Sequence, residues 1–254
     1  MKFLVILSVA LTGLLSAQEP AGSKPTEKGT PLRLLALGEP PPFRQEVRGD
    51  RRVEIEAEPG ALPPRQVAIG SNAEVNLTLN QAGAPLLTPP LDHVELHDKQ
   101  KVWTTLAIPE NLRTKPKLAL FWRDPGKTWD SPHSLLLPDG ADVFPAGQVR
   151  FVNLLPTASA LKIGEQTREL AAGEIWLCPA PTTGQTLQIS FRTADGGWMP
   201  VHAATLEPAA AGTRVEVIVY RADTASARRP AKALVLREQV ATEAIAPMVA
   251  AAGR

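Results

Sequence analysis

One cysteine, one tyrosine and three methionines are all that 254 residues contain of these types. A single thiol, Cys178, excludes an internal disulfide, so any core must hold by packing alone. Within the run IWLC it reads as a small buried hydrophobe rather than a reactive group. Excess charge of one sign is also missing: 27 basic side chains face 26 acidic ones. Such a chain does not gather phosphate or anionic lipid around itself, which disfavours nucleic-acid and membrane-surface roles. The nucleophile elbow Gly-x-Ser-x-Gly is absent, and none of the four histidines lies in a catalytic signature. Gly126-Lys127-Thr128 resembles the tail of a phosphate loop, yet Phe121 stands where that loop needs its first glycine. Asp124-Pro125-Gly126 is a turn signal instead, because proline presets φ and glycine accepts positive φ.

What is present begins with an address. Met1-Lys2 leads into an apolar run from Phe3 to Leu15, followed by Ser16-Ala17-Gln18. One positive charge, a short apolar core and a small residue at the cut predict a secretory signal peptide over 1–17. The run is too short for a stable anchor. Gln18 stands where a lipid-anchored exported protein carries cysteine, so the expectation is a soluble periplasmic or extracellular protein, not a lipoprotein. Residues 18–30 are polar and rich in Pro and Gly, and predict a flexible tether.

Beyond it, short apolar segments alternate with turn formers. LRLLAL (32–37), VEIEA (53–57), QVAI (66–69), EVNLTL (74–79), HVEL (93–96), LALFW (118–122) and SLLL (134–137) come first. VRFVNLL (149–155), EIWLC (174–178), LQISF (187–191), VEVIVY (215–220) and KALVL (232–236) follow. Several alternate with period two, and the 25 prolines concentrate between them, about twice the usual proline frequency. Strands at this spacing predict an all-β sandwich. The tail from Glu238 could open a short helix, but Pro247 interrupts it, so 241–254 is expected to be loosely attached.

The chain also reads as one domain written twice. Leu32-Arg33-Leu34-Leu35 matches Val149-Arg150-Phe151-Val152, and the stretch 62–67 matches 170–175. Phe121-Trp122-Arg123 matches Val219-Tyr220-Arg221, and Pro132 to Leu136 matches Pro230 to Leu234 at the same offset. Trp103 and Trp198 each open a strand pair. These landmarks predict two tandem immunoglobulin-like β-sandwich domains, over 31–140 and 141–240. Val149, Arg150, Asn153, Pro156, Gly164 and Gly173 carry a further likeness. Over residues 147–222 the second half resembles a bacterial secreted domain family of unknown function. Ala160-Leu161-Lys162 departs from that family's pattern. The resemblance implies an immunoglobulin-like sandwich on an exported protein and supplies no catalytic residue.

Two stretches carry candidate chemistry. Asp92-His93-Val94-Glu95-Leu96-His97-Asp98 gathers metal-binding residue types. In a strand, His93, Glu95 and His97 share one face, with His93 and His97 about 13 Å apart, too far for one ion. Alternation of apolar and polar faces explains the same residues, so no catalytic, cofactor-binding or metal residue is assigned. Trp129, in the loop after the Gly126 turn, is expected either to offer an indole for a sugar or to fold over the sandwich edge. The loops 123–133 and 221–231 are expected to carry any contact. The leading expectation is an exported, non-catalytic binding or scaffolding protein of a Gram-negative-type cell envelope, with an unidentified protein or glycan partner and no cofactor. The alternatives are a carbohydrate-active or metal-dependent hydrolase centred on His93, Glu95 and His97, and a carbohydrate-binding module using Trp129.

Overall fold

The computed structural model describes residues 29–41, 44–55, 58–69, 73–223 and 229–240. The predicted signal peptide and most of the predicted tether lie outside these residues, as does the tail after Val240. The described chain is all β, broken by one short 3₁₀ turn at Glu110–Leu112. No helix among the described residues is long and apolar enough to cross a membrane.

Ten strands fill the first half. They are β1 (Thr30–Ala36), β2 (Arg44–Arg48), β3 (Arg51–Ile55), β4 (Gln66–Ile69) and β5 (Ala73–Asn76), then β6 (Leu86–Thr88), β7 (His93–Asp98), β8 (Lys101–Ala107), β9 (Lys117–Trp122) and β10 (His133–Pro138). The second half holds β11 (Gln148–Asn153), β12 (Ser159–Ile163), β13 (Gln166–Leu170) and β14 (Ile175–Pro179). It closes with β15 (Gln185–Arg192), β16 (Trp198–Leu206), β17 (Thr213–Arg221) and β18 (Ala231–Gln239). Thr30, expected in the tether, is a buried strand residue paired with Thr88. Glu238, where the sequence offered a helix start, pairs with Arg214 inside β18.

The two halves share one strand order. The sheet β10-β9-β1-β6 corresponds to β18-β17-β11-β14, and β5-β4-β7-β8 corresponds to β13-β12-β15-β16. In both, the first strand runs parallel to the penultimate one: β1 with β9 and β11 with β17. Among the described residues only the hairpin β2-β3 has no counterpart. Even an irregularity recurs. Leu96 faces Thr104 and His97 faces Val102, which leaves Trp103 as the extra residue of a bulge. Ile189 faces His202 and Ser190 faces Pro200, which leaves Val201 extra. Both extra residues are buried, so Trp103 corresponds to Val201. The expected match of Trp103 with Trp198 is corrected, since Trp198 is exposed. The match of 62–67 with 170–175 also fails: Val67 lies in β4 of an outer sheet and Ile175 in β14 of an inner one. Leu120 aligns with Ile218 through their partners Leu35 and Val152, as the third landmark requires. Their other partners, Leu135 and Leu234, shift the fourth landmark by one position.

Three apolar layers separate four stacked sheets. Leu32, Leu34, Ala119 and Phe121 of the first inner sheet meet Val67, Val94, Leu96 and Leu106 of its outer sheet. In the second half, Val149, Phe151, Val215 and Val217 meet Leu161, Ile163, Leu187 and Ile189. The third layer lies between the halves, where Leu35, Leu37, Leu118, Leu120 and Leu137 pack on Val152, Ile218 and Tyr220. A strand with water on one face alternates, as β7 does, with Val94 and Leu96 inward. A strand covered on both faces is apolar throughout. β9 fits that second pattern, and β17 is buried along nearly its whole length although Arg214 and Glu216 interrupt its apolar run. These two central strands have no wet face, whereas the edge strand β14 keeps Ile175 and Leu177 exposed. Each leucine in this middle layer removes apolar surface worth about 1.5–3 kcal/mol before entropy is counted.

Candidate functional surfaces

Charge sits at both ends of the middle layer. At one end Arg33 on β1 donates to Asp139 from Nε (2.7 Å) and bidentately to Glu238 on β18 (2.8 Å for each bond). Arg150 on β11 makes a bidentate pair with Glu216 on β17 (2.9 Å for each bond) and donates to the Pro138 carbonyl. Arg214 reaches Asp139 at 2.6 Å and Glu238 at 3.3 Å. The Phe144 ring lies under both guanidiniums, 4.2 Å from Arg150 and 4.6 Å from Arg214. Three cations and three carboxylates thus balance in a nearly dry space, as burial of charge requires. Burial pushes the Glu216 carboxyl up against the pull of Arg150. Burial also raises Glu238, but its bonds to Arg33 and Arg214 outweigh that and hold it below the ordinary glutamate range.

At the other end, Lys232 bonds Glu39 at 2.6 Å, and Arg123 bonds buried Asp223 at 3.2 Å. Burial raises the Asp223 carboxyl above the ordinary aspartate range, with Arg123 and the Glu39 amide opposing. Sequence reasoning placed polar groups outside and so missed both clusters. The signal was there in LRLL and VRFV, where an arginine interrupts an apolar run at matching positions.

These contacts also fix how the inner sheets overlie one another. Arg33 with Glu238 and Glu39 with Lys232 set β1 over β18. Arg150 with the Pro138 carbonyl sets β11 over β10. The arrangement is isologous: the first strand of each half lies on the last strand of the other. By that stacking β6 and β14, at the opposite edges, overhang with no described strand above them.

The sequence-nominated residues fare differently. His93, Glu95 and His97 lie on the open face of β7, with His97 and Glu95 3.4 Å apart. His93 turns instead to Asp92 at 2.7 Å, and that bond holds the Asp92 carboxyl below its usual range. Among the described residues no three His, Cys, Asp or Glu side chains group so as to hold a metal. Trp129 is 1 % exposed and packs in the first core beside Trp103, whose Nε1–H donates to the Trp129 carbonyl. The expectation of an indole platform for a sugar is therefore corrected. The Arg123 guanidinium lies over its ring, 5.8 Å from the centroid.

The turn at Gly126 is as expected. Lys127 N–H closes on the Asp124 carbonyl at 3.0 Å, with Gly126 at φ +74°. The two loops nominated for contact meet: Gly126 N–H donates to the Asp223 carbonyl, and Asp124 faces Arg221 at 3.7 Å. His133 Nε2–H donates to Asp124 Oδ2, 3.0 Å away, and holds the Asp124 carboxyl below its usual range. Residues 224–228 of the second loop lie outside the described residues. Cys178 is half-buried against the second core, and burial pushes its thiol up, the opposite of an activated nucleophile.

Two grooves remain. One of about 480 Å³ is lined by Pro40, Leu62, Pro63, Arg65 and Leu77 to Leu79. The other, about 360 Å³, lies between the edges of β13 and β14, lined by Leu161, Ile163, Arg168 and Trp176. There Trp176 stacks on Phe151 at 5.3 Å while Arg168 covers its other face at 5.0 Å. Neither groove contains a nucleophile paired with a base. No family model matches this chain, and a search of curated proteins finds none significantly similar to it.

Proposed function

We propose that this chain is an exported, non-catalytic binding or scaffolding protein of a bacterial cell envelope, built from two tandem immunoglobulin-like sandwiches that arose by duplication. Export rests on the signal-like residues 1–17, and duplication rests on the common strand order and the repeated bulge. The observation that carries the binding reading is the hairpin β2-β3. It forms a two-stranded sheet of its own, with Val47, Val53 and Ile55 exposed, and only the first half has it. A lone hairpin is marginal in water, and exposed apolar side chains on one are at home against a partner. The fused pair of sandwiches would then serve as a rigid base for that projection.

Photo-crosslinking in envelope fractions tests this reading. A crosslinker at Val53 is expected to give a discrete protein or glycan adduct, while one at exposed Val102 on β8 gives none. Adducts equal in kind and yield at both positions would count against it. The hydrolase alternative, centred on His93, Glu95 and His97, has less support because those side chains line neither of the two grooves described above.

A further inference from the structure

The overhang of β14 creates a surface that the stacking itself leaves unfinished. Val152 pairs with Ile175 and Arg150 with Leu177 in the β11-β14 register. Ile175 and Leu177 therefore point to the side of the sheet on which Val152 enters the middle layer. Yet no described strand of the other half covers them, because β10, which lies over β11, is the edge strand of its sheet. Ile175 is 43 % exposed and Leu177 40 %, among the more exposed large apolar side chains of the described chain. β10 in turn has one edge on β9; no described strand pairs with its other edge, where only the Pro138 carbonyl is taken, by Arg150. A free strand edge thus stands beside an apolar shelf, and the shelf continues the interface between the halves.

We propose that this notch takes an extended peptide segment of a partner, which adds as a fifth strand to the free edge of β10 and seats alternate apolar side chains on Ile175 and Leu177. The added strand would occupy, over β14, the place that β10 occupies over β11. Main-chain bonds to β10 supply affinity, and the two shelf residues select apolar side chains at every second position. The extent of the shelf argues for a peptide rather than a second copy of the chain. Two exposed aliphatic side chains fall far short of the roughly 800 Å² per partner that a stable globular interface buries. Strand addition needs no such area, since its bonds come from the backbone. β10 offers Leu135 and Leu137 to the middle layer, so an added strand would extend that layer outward rather than start a new one. The mirror position is less suited: β6 is short and offers only Leu87 as an exposed apolar residue. The inference rests on the binding reading above but on a different surface from the hairpin, so the two can fail separately.

A displayed library of random twelve-residue peptides, selected against the full chain, tests it. Selected peptides are expected to carry apolar residues at alternate positions and to shift the amide signals of residues 133–137 together with the methyl signals of Ile175 and Leu177. Affinity should fall at least tenfold in the double variant Ile175→Ser, Leu177→Ser, whose exposed sites leave folding intact. It should fall as far when the peptide is N-methylated at every second residue, which removes main-chain pairing without altering side chains. Removing the hairpin tip should change nothing. Selection of no peptide, equal binding by the N-methylated form, or signals that move elsewhere would overturn the proposal. So would a dimer of the full chain by ultracentrifugation that the double serine variant dissolves, because the shelf would then belong to a second copy.

Discussion

Arg33 and Glu238 lie 205 positions apart and meet in a bidentate ion pair, with Nη1–Oε1 and Nη2–Oε2 both at 2.8 Å. One belongs to the first described strand and the other to the last, so the pair ties the two halves together across the layer between them. Asp139 and Arg214 complete its surroundings, and neither Arg33 nor Glu238 is exposed enough for water to replace the partner.

Truncating one member should accordingly cost more than a surface ion pair does. Arg33→Ala leaves Glu238 with Arg214 alone and strips Asp139 of its Nε donor. A loss of about 3 kcal/mol is expected, within the range for breaking a buried pair. Urea unfolding checks it, with Arg48→Ala as the comparison. Arg48 pairs with Glu46 in exposed surroundings and should change the midpoint very little.

Acid should weaken the same contact. The carboxyl of Glu238 is held below the ordinary glutamate range in the folded chain. Its contribution is therefore fully present above the unfolded glutamate pKa, near 4.3, and is lost as pH falls through the lowered folded value. Glu216 and Asp223 are raised, so their ionisation opposes folding and protonation favours it. The expected result is that wild type and Glu238→Gln differ by a constant amount above about pH 5.5 and converge below pH 4. A gap that widens on acidification would refute the assignment.

Trp129 is a core residue in a loop, and its replacement should show that. Trp129→Ala is expected to cost about 3–5 kcal/mol, in the range for large-to-small changes at fully buried aromatic positions. Trp198→Ala, at an exposed site, should cost less than about 1 kcal/mol. Thermal melts of both variants check the contrast.

Zinc should find no home on β7. Calorimetric titration of the full chain is expected to give no saturable micromolar heat, and His93→Ala should leave the trace unchanged. His93 is engaged by Asp92 and stands apart from the His97–Glu95 pair.

Gly126 offers a cleaner test of backbone conformation. A side chain there would meet nothing within 4 Å, so Gly126→Ala isolates the strain of φ +74°. A destabilisation of about 1 kcal/mol is expected, readable as a shift in urea midpoint. Gly38→Ala should cost more, because its Cβ would fall 2.6 Å from Asp223 Oδ2.

What the sequence could determine alone was local. Period-two alternation marked β7, and the unbroken apolar run LALFW marked β9, because a strand sees its neighbours every second residue whatever lies beyond. The Asp124-Pro125-Gly126 turn was legible for the same reason: φ preferences belong to single residues. Arginine at matching positions in LRLL and VRFV was legible too, but its meaning was not. Only the tertiary structure set the two inner sheets face to face, buried Arg33, Arg150 and Arg214 with their carboxylates, closed Trp129 into the first core and left Ile175 and Leu177 uncovered. Each of these depends on which strand lies over which. That is decided by the apolar area shared between halves distant in the chain, a quantity that no short window of sequence contains.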